Sequence, residues 1–128
     1  MKNSNFQFKN PKLVDIQFKI NRNFQNNEEG IDIDLQANVD INKFNDRSEA
    51  IVELTLIIGN EDGSNPFYIR ATECAVFRWD ECVGERVDKL LEQNAPAILL
   101  GYLRPTIAMI TAASPFETYN IPLINFSE

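Results

Sequence analysis

The chain has 128 residues, 44% of them apolar, which is enough to bury a core as one domain spanning 1–128 without disulfides or a metal and too apolar for disorder. With 19 acidic against 12 basic side chains the net charge is −7 and the isoelectric point near 4.6, so phosphate backbones are repelled and nucleic acid is excluded as an expected partner. The absence of histidine removes the commonest general base, and Cys74 and Cys82 alone cannot complete a four-ligand zinc site, so both read as reduced, structural thiols.

Residues 1–5 are polar and lead into no apolar signal region, and no apolar stretch approaches the roughly eighteen residues of a membrane span. The expectation is a cytoplasmic protein that does not insert into membrane. The first alternation sets Val14, Ile16, Phe18 and Ile20 against Asp15, Gln17, Lys19 and Asn21, a strand with Pro11 just before its start. A polar loop over residues 21–29 carries one aromatic, Phe24.

Residues 30–44 alternate more strictly, with Ile31, Ile33, Leu35, Ala37, Val39 and Ile41 on one face and mostly Asp and Asn on the other, the pattern of a half-buried strand. Residues 49–59 set Val52, Leu54, Leu56 and Ile58 against a second face that is also partly apolar, as in a central strand. The turn formers of residues 60–66, with Asp62-Gly63, connect it to a fourth strand over residues 67–79. Glu73 interrupts the apolar face of that strand and is expected at a rim or paired with an arginine.

After Trp79 the period changes to about 3.6, with Val83, Val87, Leu90 and Leu91 on one face and Asp80 placed to cap the first turn. Asn94-Ala95-Pro96 is expected to interrupt this helix, and a second is expected over residues 97–113 with a kink or a restart near Arg104, because Pro105 lacks an amide hydrogen. Residues 115–126 read as an extended, irregular tail. Four strands followed by two C-terminal helices give an α+β fold, an antiparallel sheet with both helices packed on one side.

Catalytic chemistry is hard to find. Asp32 and Asp34 share a face, as paired carboxylates would, but it is the polar face of an exposed strand. No nucleophile motif and no glycine-rich phosphate loop is present, so neither an enzyme nor a cofactor is expected.

In the C-terminal third Pro96, Ile98, Leu99, Tyr102, Arg104 and Ile107 fit a P-x-I-L-F-P-Y-x-R helix pattern, and Asn120, Ile124, Asn125 and Phe126 fit an L-N-L-x-P-[IV]-N-F segment. In both patterns the chain resembles the SecB chaperone family. Gly101 and Pro105 depart from the pattern, and the chain ends soon after Phe126, without the further helical tail many members carry. The resemblance implies a four-stranded antiparallel sheet with two helices, dimers pairing into a homotetramer, and unfolded polypeptides held in apolar grooves. It places Ile31, Ile33, Leu35, Trp79, Ile107 and Ile110 near such a groove, with Phe24, Phe116 and Tyr119 at its margins. It also implies that a patch docking the translocation ATPase falls on Asp15, Lys19 and Arg70, of which only Asp15 keeps the acidic sign. Two readings follow: a general holdase, or a dedicated adaptor for one partner such as an antitoxin or a mobile-element protein.

Overall fold

A computed structural model describes residues 1–25 and 32–127. Its four strands, β1 (Phe6–Ile20), β2 (Leu35–Phe44), β3 (Glu49–Gly59) and β4 (Phe67–Trp79), form one antiparallel sheet in the order β1-β4-β3-β2. The central pair occupies the bounds its alternation predicts. One face of it is sealed: Val52, Leu54, Leu56, Ile58, Phe67, Ile69, Ala71, Ala75 and Phe77 are at most 1% exposed. Register places Leu56 beside Ala71 and Ile58 beside Ile69, so the apolar faces stack across strands.

The β3–β4 connection depends on Gly59, whose φ is 75° and whose absent Cβ would lie 1.9 Å from the Phe67 carbonyl oxygen. Asn65, 3% exposed, ties three segments together: its side-chain oxygen accepts from the Asp34 amide at 3.0 Å, and its carbonyl accepts from Asn21 Nδ2 at 3.1 Å. The ends of β1 and the lead into β2 are thereby fixed against the start of β4.

The edge strands differ from expectation. β1 begins at Phe6, and Pro11 lies within it rather than before it. Register shifts between Lys9 and Lys12 and between Leu13 and Asp15, with Asn10 at φ 57°, absorb the proline and put Val14 out of the predicted alternation. β2 begins at Leu35, five residues later than the alternation suggests; residues 32–34 precede it, and Ile31 lies outside the described residues.

Glu73 is neither at a rim nor paired with an arginine. It is 4% exposed, opposite Leu54 on β3 and Leu13 on β1, and burial pushes its carboxyl above the usual range. Among the described residues no ion pair reaches it.

The two expected helices are one run. A 3₁₀ turn, Glu81–Arg86, is broken at Gly84 (φ 58°, ψ −134°), and Asp80 makes no side-chain cap. The chain then continues through α1 (Val87–Lys89), a π turn (Leu90–Asn94) and α2 (Ala95–Ala112). In the π turn the Ala95 amide donates to the Leu90 carbonyl, five residues back. This wider turn accommodates Pro96, which has no amide to donate and would crowd the carbonyl four residues before it. Pro105 does not end α2 either: it is exposed, and the carbonyl it faces, four residues back, belongs to Gly101.

By length and composition the run Glu81–Ala112 is apolar enough to cross a membrane, contrary to the sequence expectation. Its apolar stripe is instead used on the sheet, with α2 packed on β3 and β4 and Leu99, Leu103 and Ile107 fully buried. The edge strands are covered less: Leu13 and Ile16 of β1 are each 41% exposed and Val39 of β2 is 36% exposed.

Candidate binding surface

The site is built by the segment after α2. At the helix end the Ser114 hydroxyl donates to the Thr111 carbonyl at 2.6 Å and accepts from the Phe116 amide at 3.1 Å, which turns the chain back. Residues 117–125 then run back alongside α2 without regular secondary structure. The Tyr119 amide donates to Thr111 Oγ1 at 2.9 Å, and the Arg104 guanidinium donates to the Pro122 carbonyl at 2.8 Å. Ile121 is 5% exposed, and the segment ends beside Gln93, Asn94, Ala97 and Ile98, where it borders a cavity of about 470 Å³.

The Tyr119 ring meets Phe67 edge-on at 6.3 Å between centroids, and Phe67 in turn contacts Phe18 at 6.1 Å. Phe116 meets Phe24, also edge-on, at 5.7 Å. Ile33, Leu35 and Ile110 are half-buried against the same core, and Leu35 pairs with Ile58, which pairs with Ile69 two residues from Phe67. An aromatic and aliphatic surface therefore gathers where β4 begins. Beside it β2 is an edge strand whose outer backbone groups have no strand partner among the described residues.

Of the residues singled out from sequence, Phe24, Phe116 and Tyr119 are brought together here, with Ile33, Leu35 and Ile110 packed into the same core. Ile107, on α2 itself, is fully buried. Trp79 lies at the opposite end of β4, about 40 Å from Phe67 at about 3.3 Å rise per residue. There it pairs with Phe6 and has Lys43 Nζ 6.0 Å from its ring centre. Burial pushes the Tyr119 hydroxyl up from its usual pKa, so it stays neutral across physiological pH. Sequence reasoning missed Phe67 as the ring both sides share, and Arg104 and Thr111 as the anchors of the returning segment. Alternation marks Phe67 only as inward-facing, and nothing in the sequence pairs a helix residue with a carbonyl eighteen positions on.

On the open face of the sheet Asp15 and Arg70 form an ion pair across β1 and β4, and Lys19 reaches Glu61 at 3.4 Å. The three predicted patch positions are neighbours, and their charges are matched locally.

The family model described as preprotein translocase subunit SecB matches residues 3–128. Among solved structures, a SecB-like chaperone of Mycobacterium tuberculosis, in complex with a peptide from an antitoxin, superposes with a TM-score of 0.74 at 15% identity, covering 94% of this chain and 91% of that one. A protein of unknown function from Streptococcus agalactiae superposes with a TM-score of 0.52 at 10% identity, covering 92% and 97%. No curated protein sequence matches the chain. The fold shared with these structures is the four-stranded antiparallel sheet with its C-terminal helix.

Proposed function

The chain belongs to the SecB family, and from that premise we propose that it is an ATP-independent holdase for unfolded or export-bound polypeptides. It acts in the cytoplasm as a homo-oligomer, a dimer of dimers, without a cofactor and without catalysing a reaction. The observation that carries this reading is the apolar surface at the start of β4: Phe24, Ile33, Leu35 and Ile110 stay partly open, Phe116 and Tyr119 of the returning segment lie against it, and across β3 the outer edge of β2 has no strand partner among the described residues. Apolar burial is non-directional and so accepts many client sequences, and an unpaired strand edge adds main-chain hydrogen bonds that any extended peptide can make. Trp79, at the far end of the sheet, serves as a second contact that only a long client reaches together with the first. The test is a titration of a permanently unfolded, fluorescently labelled protein with the full chain in the absence of nucleotide; saturable binding supports the holdase, and no binding overturns it.

A dedicated adaptor for one partner is the second reading. The Asp15–Arg70 and Lys19–Glu61 pairs favour it, because a patch whose charges are already matched offers little attraction to a charged translocation ATPase. The antitoxin peptide bound by the M. tuberculosis chaperone is in keeping with such a role. Affinity capture from native lysate separates the two: a holdase returns many substoichiometric clients, an adaptor one dominant partner.

A further inference from the structure

Residues 115–127 have the composition of a client. Phe116, Tyr119, Ile121, Leu123, Ile124 and Phe126 are apolar or aromatic, Glu117 is the one charged residue, and residues 117–125 carry no regular secondary structure. The segment is held by the means a client would be held by: aromatic contacts to Phe24 and Phe67, burial of Ile121, and hydrogen bonds between its backbone and α2 side chains, one donated by Arg104 and one accepted by Thr111. It joins neither the sheet nor a helix, so its attachment to α2 rests on few polar contacts, while Leu123 projects at 89% exposure.

We propose that residues 115–127 form an intramolecular strap that occupies the client surface in the resting chain and is displaced when an unfolded polypeptide binds. This rests on the holdase reading and gives its mechanism. Client aromatics replace Phe116 and Tyr119 against Phe24 and Phe67. The apolar surface stays covered until a client competes for it, which protects the resting protein from self-association. Because only the strap-open fraction binds, the apparent dissociation constant exceeds the intrinsic one by the inverse of that fraction.

The experiment compares the full-length protein with the double variant Arg104→Ala/Thr111→Val, which removes both backbone anchors while keeping the volume of the buried Thr111 side chain. Amide hydrogen exchange of residues 115–127 is measured alone and with carboxymethylated, permanently unfolded α-lactalbumin, and the affinity for that probe is measured in parallel. The expected result is faster exchange of the segment when the probe is bound, and an affinity raised about threefold or more in the variant. Slower exchange on binding, or a variant whose segment exchanges faster while its affinity is unchanged or lower, overturns the strap and makes the segment a fixed wall of the groove. Absence of binding by both proteins overturns the holdase reading and the strap with it.

Discussion

Glu73 is the residue at which the sheet works against itself. Its side chain faces the core between Leu54 and Leu13, and burial disfavours the charged form, raising its pKa above 4.5. A folded-state pKa above the unfolded value means that the native chain binds more protons between the two, so this group's contribution to stability falls as pH rises through the folded value. Glu73→Gln keeps the shape and removes the charge. Urea denaturation at pH 7.5 is expected to give a higher midpoint for the variant than for the parent, and the gap is expected to close as pH falls towards 5; equal midpoints at pH 7.5 would contradict the assignment. Gly59 is the opposite case, a residue without which the local fold does not close. Gly59→Ala places a Cβ against the Phe67 carbonyl at positive φ and is expected to cost about 1–3 kcal/mol or more in the same assay. The positive φ at Gly59 could not be read from sequence, because the turn signal was carried by Asp62-Gly63 three residues further on.

At the scale of elements, what was legible follows from how undisturbed each period is. β3 alternates throughout and β4 does so apart from Glu73, and both appear where the alternation places them. β1 hides its first half because Pro11 and the two register shifts break the alternation between Phe8 and Ile16; the shifts cancel, so Phe6 and Phe8 keep the phase of Phe18, but no continuous pattern joins them. The helix was divided at Pro96 because proline reads locally as a breaker, whereas a π turn ahead of Pro96 carries the run through and Pro105 lies exposed within α2. The continuous helix gathers Leu99, Leu103 and Ile107 into one buried stripe. Leu103→Ala is accordingly expected to lose about 2–5 kcal/mol, while Leu123→Ala, on the exposed side of the returning segment, stays within about 0.5 kcal/mol. Similar losses at both positions would show that α2 does not seal the core as described.

For the whole molecule the decisive geometry is length. Two aromatic regions, one around Phe24, Phe67, Phe116 and Tyr119 and the other at Trp79, stand about 40 Å apart along β4, a span that about twelve extended residues cover. The family resemblance grouped these residues into one neighbourhood, since sequence motifs carry no distance along a sheet. Trp79→Ser is therefore expected to weaken binding of an unfolded chain of a hundred residues several-fold and to leave a ten-residue aromatic peptide unaffected, as fluorescence titrations of both would report. Multivalent attachment explains the difference, because a long client converts the second contact into an intramolecular one.

The most direct measurement is light scattering of an aggregation-prone unfolded protein diluted into buffer with and without this chain, in the absence of nucleotide. The account predicts suppression at near-stoichiometric ratios by the parent chain, strongly reduced in Phe24→Asp, a substitution outside the sealed core whose folding is checked by circular dichroism. Undiminished aggregation at several-fold excess of the folded parent chain, or full suppression retained by Phe24→Asp, would contradict a holdase working through the surface at the start of β4.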